Sequence, residues 1–296
     1  RVMVRRMIPG MFGVAAIQIN LLLTTGIAFA MDGSIVASFN YAVRLMELPQ
    51  GVFGISLATF ILPALAGLAA ENKMKEFSRS LSLAFDYVFF LNLFVGALLL
   101  VLAEPIVRLL FERGAFGAEA TSRASLALMC LAPGLVAFSA VNIFARAFFA
   151  IGDTRTPMRI SVLCLALNLV LVVILIGPYQ QAGMGIANSI SSTLNAFLLF
   201  AALKRKRSDI KPDANTKNRV LTGICVLLAA GAAWKIWEWC DAWLGHDGLT
   251  ARLIVVFLPL ASAAAIYGVS ALALRIPAAR DIAGMVSKRL SGKETA

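Results

Sequence analysis

Two residues of opposite charge, Arg44 and Glu47, lie one helical turn apart inside an otherwise apolar run from Ser34 to Ala69. A charge at the centre of a bilayer costs about 2.5–3.5 kcal/mol on insertion scales, so such residues usually face a bundle interior or a wet cavity. Arginine holds phosphate groups bidentately and stays charged when buried. The pair therefore indicates a site for an anionic group. A pair that only neutralises itself and fixes packing is the alternative.

The depth of Arg44 follows from its position along the helix. A turn at 32–33 precedes the boundary at Ser34, and Arg44 lies about ten residues, or about 15 Å, beyond it. This is the middle of a hydrocarbon core about 30 Å thick. Pro49 lacks a donor and Gly51 adds backbone freedom, so both weaken a helix. We expect a kink or break there.

The composition is that of an integral membrane protein. Of the 296 residues, 60% are hydrophobic and 15% are charged, with a mean hydropathy of +0.84. A typical soluble domain is about 45–50% apolar and about 25% charged. The four cysteines occur singly and His246 is the one histidine, so we expect no zinc site, disulfide framework or cofactor. The chain opens on Arg1, and we expect it to be part of a longer protein.

Runs long enough to cross a bilayer, which takes about 20 apolar residues, recur along the chain. The sequence therefore predicts an all-α polytopic membrane helix bundle with about eight transmembrane helices. The charged stretch from Glu104 to Arg123 is predicted to be an amphipathic segment at the membrane surface. The predicted spans are 7–31, 34–69, 81–103, 124–150, 157–177, 183–203, 220–237 and 253–274.

The basic residues indicate the orientation of these spans. If the connections alternate between two sides, 20 of the 27 Lys and Arg fall on one side and 4 on the other. By the positive-inside rule, both ends of the chain are predicted to be cytoplasmic. The basic residues recur in each connection on the predicted cytoplasmic side of the membrane. This pattern favours contact with anionic membrane lipids and argues against a nucleic-acid partner.

A polar linker divides the predicted spans into two groups. The stretch 204–219 contains a Lys-Arg-Lys-Arg cluster followed by Pro212, which is typical of a boundary. We expect a six-span lobe at 1–203, a cytoplasmic linker at 204–219, two accessory spans within 220–274 and a cytoplasmic tail at 275–296.

Three sequence runs resemble the MurJ (MviN) family of lipid II flippases, within the multidrug/oligosaccharidyl-lipid/polysaccharide exporter superfamily. They are YAVRLMELPQGVFGISLATFILPAL at 41–65, LLFERGAF at 109–116 and GDTRTPMRI at 152–160. The resemblance covers the second half of such a protein, namely the second six-span lobe and two extra C-terminal spans. It implies a partner lobe of six spans that would precede this chain.

The resemblance also implies a function. Such proteins move the undecaprenyl-pyrophosphate-linked peptidoglycan precursor across the bacterial inner membrane by alternating access, without covalent chemistry, so the chain is not expected to be an enzyme. Their cavity arginines are thought to engage the pyrophosphate, and the one in the YAxRLMExP motif falls on Arg44, with Glu47 as its motif neighbour. The family commonly has an acidic residue where this chain has Val43.

Polar amides at similar depth are further candidates for substrate contact. Gln18 and Asn20 lie in the first span, and Asn168 lies in the fifth. Amide side chains in membrane helices also form hydrogen bonds to neighbouring helices, so a purely structural role for these residues is the alternative. No coupling-ion site is assigned, because Val172 stands one turn after Asn168 where a carboxylate would be needed.

Other functions are weighed against the flippase. A polysaccharide-lipid or drug exporter of the same superfamily is the main alternative, although a cavity for cationic drugs would favour acidic residues over Arg44. An enzyme acting on the same lipid would need a nucleophile or an acid–base cluster, and His246 stands alone beside Asp247. A non-transporting scaffold is the remaining possibility.

Overall fold

The computed structural model describes residues 18–206, 216–245 and 248–290. Every element in these ranges is helical, which confirms the predicted all-α class. Some predicted features lie outside the described residues: the start of the first span, the centre of the linker, His246 and the end of the tail. The stretches long and apolar enough to cross a membrane are Gly33–Ala70, Met74–Val101, Ala118–Ala150, Arg155–Lys206, Thr216–Leu244 and Leu249–Ala273.

The helices follow one another with short connections. In chain order they are α1 (Gln18–Met31), α2 (Gly33–Pro49), α3 (Ser56–Ala70), α4 (Met74–Val101), α5 (Ala103–Phe111), α6 (Ala118–Leu131), α7 (Leu135–Ala150), α8 (Arg155–Lys206), α9 (Thr216–Leu244), α10 (Leu249–Ala273) and α11 (Pro277–Leu290). A π-helix at Gln50–Ile55 joins α2 to α3, and a 3₁₀ turn at Ala132–Gly134 joins α6 to α7. Each of these pairs forms one long composite helix.

The long helix α8 is a hairpin of two arms, 155–179 and 181–206. Gln180 has φ 48° and ψ −126°, which interrupts the helix and reverses the chain. The Ser191 hydroxyl donates to the carbonyl of Cys164 at 2.6 Å, a contact that one straight helix could not make across 27 residues. Six stretches of the described residues are long enough to span, and counting α8 as two spans brings the number to seven. Helix α1 is the described part of the first predicted span, 7–31, which makes eight.

Asp153, in the connection before α8, ties the two ends of this hairpin together. Its carboxylate accepts the backbone N–H groups of Arg155 and Thr156, both at 3.1 Å, and the Lys206 ammonium at 2.6 Å. Burial disfavours the charged carboxylate, but the Lys206 and Thr156 hydrogen bonds outweigh that effect and hold the pKa of Asp153 at about 2. The hairpin therefore begins and ends on one face of the protein.

The charged stretch Glu104 to Arg123, predicted to be one amphipathic segment, is divided in the structure into an amphipathic helix and the start of a spanning helix. Its first part is the nine-residue helix α5, whose Ala103, Pro105 and Val107 are buried. Its last part is the beginning of α6, which continues through the 3₁₀ turn into the spanning helix. The sequence pattern merged the two because the loop between them is also charged.

Four clusters of buried side chains hold the bundle together. One joins α3, α4, α7 and the second arm of α8, and a second joins α2, α4, α5, α6 and the start of α7. A third joins α1, α2 and both arms of α8. The fourth packs α9, α10 and the start of α11 against α4 and α5. The two C-terminal spans are thus attached to one side of the six-span unit.

Polar contacts fasten these two spans at three levels. At the centre, the Tyr267 hydroxyl donates to the carbonyl of Phe90 at 2.7 Å. Toward the start of α4, Arg219 pairs with Asp86 at 2.8 Å. At the opposite end, Glu112 pairs with Arg252 at 3.2 Å.

We expect replacement of Glu112 by Ala to loosen the attachment of α10. The Glu112 side chain is 17% exposed, accepts from Thr121 at 2.8 Å, and meets Arg108 as well as Arg252. Loss of a partly buried carboxylate that serves three donors costs about 1–3 kcal/mol. Glu119→Ala is the matched control, because its carboxylate is 81% exposed and its pair with Arg123 is worth at most about 1 kcal/mol. Equal shifts of the thermal unfolding midpoint in detergent would contradict this prediction.

Candidate substrate-binding face

Helix α2 presents two different faces. One face is buried against α5, α6 and α8 and carries Ile35, Ser38, Ala42, Leu45 and Met46. The other is exposed and carries Ala37, Asn40, Tyr41, Arg44, Glu47 and Leu48. The spacing of three and four residues within each set is that of one side of an α-helix. Arg44 and Glu47 therefore project away from the core of their own bundle.

The predicted pairing of Arg44 and Glu47 is present. A guanidinium nitrogen of Arg44 lies 3.1 Å from a carboxylate oxygen of Glu47, and the side chains are 77% and 52% exposed. The pair is not buried in this chain, which argues against the alternative that it only fixes internal packing. Arginine has five N–H donors, and this contact uses one of them. The site can therefore accept an anion without first breaking a buried ion pair.

The weak point expected after Pro49 takes the form of a π-helix. Helix α2 does not break there. It continues as Gln50–Ile55, and the N–H of Ser56 donates to the carbonyl of Gly51, five residues back. The Ser56 hydroxyl also donates to that carbonyl at 3.0 Å. π-turns of this kind are rare and frequently occur at functional sites.

The two polar residues predicted in α1 have different surroundings. Gln18 is exposed, whereas Asn20 is half-buried and its amide donates to the carbonyl of Leu165 at 2.9 Å. Asn20 thus links α1 to the first arm of α8. Among the described residues, neither amide is hydrogen bonded to the pair on α2. A substrate contact by either residue stays a prediction.

The amide of Asn168 lies inside the bundle. It is 4% exposed, and its nitrogen has no hydrogen-bond partner in the described part of the chain. Val172, one turn later, is fully buried and contributes no oxygen ligand. Within the ranges that the structure describes, no group of three or more His, Cys, Asp or Glu side chains is placed to hold a metal ion.

Polar residues at the start of α2 form a site that the motif analysis did not single out. A cavity of about 710 Å³ there is lined by Asp32, Ser34, Glu119 and Arg123 among others. The Ser34 hydroxyl and N–H both donate to Asp32, and with Arg123 at 3.3 Å they lower the pKa of Asp32. In the sequence, the features that correspond to this site are the turn Asp32-Gly33 and the charged stretch that ends at Arg123.

Tyr41 connects the middle of α2 to the run LLFERGAF. Its ring lies 4.7 Å from that of Phe111 and 4.9 Å from that of Phe116, measured between centroids. Two of the three runs on which the family resemblance rests therefore contact each other. Aromatic pairs at these distances are worth about 0.5–1.5 kcal/mol beyond their buried area, so they hold the middle of α2 against the bundle.

A protein-family model matches most of this chain. Residues 1–252 match the model described as "Lipid II flippase MurJ". The chain is 41% identical over 186 residues to the probable lipid II flippase MurJ of Rhizobium meliloti, which covers 63% of this chain and 35% of that protein. It is 34% identical over 282 residues to the one from Haemophilus influenzae, covering 91% of this chain and 54% of that protein.

A solved structure has the same fold. A structure of the lipid II flippase MurJ in an inward closed conformation superposes with a TM-score of 0.72 at 22% identity, covering 90% of this chain and 54% of that one. The chain thus spans about half the length, or less, of the proteins to which it is similar.

Proposed function

The chain belongs to the lipid II flippase MurJ family, and we propose that it forms the second half of a flippase that moves lipid II across the bacterial inner membrane. The substrate is the undecaprenyl-pyrophosphate-linked peptidoglycan precursor, and the process serves cell wall synthesis. The first six-span lobe, which lies outside this chain, would supply the opposite wall of the transport cavity.

The observation that carries this proposal is the exposed Arg44 on α2. It projects from the core of its bundle, about 15 Å into a membrane-spanning helix. An exposed charge at that depth is unfavourable against lipid, so a water-filled cavity between two lobes accounts for it. Between Gly33 and Ala70, Arg44 and Glu47 are the only charged residues. The part of the cavity wall that α2 and α3 form therefore has one cationic group, Arg44.

The chemistry of the substrate fits such a wall. Lipid II has a long apolar tail and an anionic, bulky head that cannot cross the hydrocarbon core unaided. In a cavity open laterally to lipid, the tail stays outside while Arg44 replaces water around the pyrophosphate with charge-assisted hydrogen bonds. The substrate binds the inward-open and outward-open states with different affinities. This difference shifts the equilibrium between the two states as the lobes rock around the site. Gln18, and Asn20 if its bond to Leu165 opens, would add neutral contacts from α1.

We place both ends of the chain in the cytoplasm. The ends of the α8 hairpin lie together at Asp153 and Lys206, and the basic residues recur on that side. We also treat residues 1–203 as the transport lobe, 204–219 as a cytoplasmic linker, 220–274 as two accessory spans and 275–296 as a cytoplasmic tail. Anionic lipids of the inner leaflet are the natural partners of these basic stretches.

The test uses the full-length protein in liposomes that contain fluorescent lipid II. We expect the label to become accessible on the far leaflet while the lipid stays chemically intact. Translocation of a cationic drug but not of lipid II would favour the exporter alternative. Release of a cleaved headgroup would favour an enzyme, and the absence of all three activities would favour a scaffold.

Glu47 tunes the affinity of Arg44 for the substrate in this proposal. We expect Glu47→Gln to tighten equilibrium binding of lipid II by roughly three- to tenfold, because removing a neighbouring anion is worth about 1 kcal/mol at an exposed site. Its thermal unfolding midpoint in detergent should stay close to that of the parent protein, since an exposed pair contributes little stability. Weaker binding with unchanged stability would show that Glu47 contacts the substrate directly.

A further inference from the structure

The π-helix Gln50–Ile55 lies directly between Arg44 and the rest of the long helix. Pro49 precedes it and cannot donate a hydrogen bond, and the N–H of Gln50 is shared between the carbonyls of Glu47 and Met46. A π-turn holds one residue more than the matching α-helical segment. Its return to α-helical register would rotate α2 against α3 by about 100° and shift it by about 1.5 Å. The α-helical register is therefore the natural alternative conformation of this segment.

The π-helix packs very closely against α7. Gly54 is buried, and a β-carbon in its place would lie 2.6 Å from the Ser139 hydroxyl oxygen. Only glycine allows this approach. Ser139 itself is 0% exposed, and its hydroxyl has no hydrogen-bond partner within the described ranges.

A second unpaired polar side chain, Asn92 of α4, lies at the same level of the bundle. Asn92 is 0% exposed, and neither its amide nitrogen nor its oxygen is paired with any described residue. One turn away on the same face, Gly96 approaches Ala132 and Leu135, and on the other side Phe85 stacks on Phe144. Asn92 lies between these contacts, so it faces the stretch of α7 that contains Ser139.

Unpaired buried polar groups are unfavourable, and native proteins almost always pair them. Here three such atoms lie where α4 and α7 meet a helical segment whose carbonyl groups change partners between π and α register. A carbonyl oxygen has two lone pairs, and a change of register re-aims the carbonyl groups of this segment, so the donors of Asn92 and Ser139 can gain acceptors in the other register. The unpaired polar atoms are therefore a reason for this segment to favour another register.

We propose that Asn92 and Ser139 are positioning residues that bias the register of the π-helix and so set the orientation of Arg44 toward the cavity. This rests on the proposed function, in which Arg44 binds the substrate. The two residues touch no substrate themselves. They lower the free energy of the alternative register, and the exchange between registers lets Arg44 follow the substrate through the transport cycle.

The experiment follows the rotation and shift of α2 against α3 through the distance between two labels. Spin labels are attached at Ala37→Cys and Ala66→Cys, both exposed, in full-length protein whose native cysteines are replaced. The labelled positions would be about 43 Å apart on a straight helix. We expect two distance components in the parent protein without substrate, and one component in Asn92→Leu and in Ser139→Ala.

The same variants are assayed for transport and thermal stability. We expect lipid II transport to fall at least tenfold while the unfolding midpoint stays equal or rises, because a buried unpaired group is removed. Thr222→Val, which removes a buried hydroxyl bonded within α9, is the control and should keep both components. A merely structural role would lower stability and transport together, which overturns the proposal.

Two further results would overturn it: a single distance component in the parent protein, or variants that keep two components or normal transport. Because the distances are read without substrate, the hinge can be judged separately from transport. Failure of the parent protein to move lipid II would count against the proposed function alone.

Discussion

Replacement of Arg44 by Ala in the full-length protein is expected to slow lipid II transport on the order of 100-fold. Two charge-assisted hydrogen bonds to the pyrophosphate, at about 1.5–3 kcal/mol each, would be lost, and a factor of ten corresponds to about 1.4 kcal/mol. The guanidinium is 77% exposed, so the change should leave the fold intact. The measurement is the initial rate of lipid II appearance on the far leaflet, beside the unfolding midpoint.

Arg44→Lys is the matched variant, because it keeps the charge but loses the planar fork that binds phosphate bidentately. We expect it to retain more activity than Arg44→Ala, with a loss of roughly tenfold, equivalent to one such hydrogen bond. If both variants transport lipid II at the parental rate, Arg44 does not bind the substrate in the rate-determining state.

Replacement of Gly183 by Ala is expected to destabilise the protein more than any other substitution proposed for it. A β-carbon there would overlap the carbonyl oxygen of Leu175, on the other arm of the α8 hairpin. Because the obstacle is backbone, the two arms must move apart. Overpacking of this kind costs about 3 kcal/mol, which corresponds to a fall of roughly 6 °C or more in the unfolding midpoint.

Gly177→Ala is the control within the same hairpin. No atom lies within 4 Å of a β-carbon at Gly177, and alanine is favoured over glycine in a helix by about 0.5–1 kcal/mol. The midpoint in detergent should therefore stay constant or rise slightly. Similar midpoints for the two variants would mean that the arms are not packed as closely as Gly183 and Leu175 indicate.

The large features of this fold are readable from the sequence because membrane spans carry a strong signal. Apolar runs of sufficient length located the described spans, and the turn before Ser34 marked the start of the helix that carries Arg44. The pairing of Arg44 with Glu47 followed from their spacing of three residues, and the structure has it at 3.1 Å. These features depend on local sequence alone.

The features that the sequence did not reveal depend on contacts between distant residues. Pro49 and Gly51 indicated a weak helix, but a π-helix rather than a break forms because Gly54 fits against Ser139 of another helix. The sequence likewise does not show that the Asn92 amide lacks hydrogen-bond partners among the described residues, because this depends on which side chains of other helices pack against it. Glu112 looked like one charge in an amphipathic stretch, whereas its partner Arg252 is 140 residues away.

Equilibrium binding to the full-length protein tests the central claim most directly. Two short-chain lipid II analogues are compared, one with the natural pyrophosphate and one with an uncharged linker, on the parent protein and on Arg44→Ala. We expect the substitution to weaken binding of the pyrophosphate analogue on the order of 100-fold, and binding of the uncharged analogue less than about threefold. Equal weakening of both analogues, or of neither, would contradict the assignment of Arg44 as the pyrophosphate-binding residue.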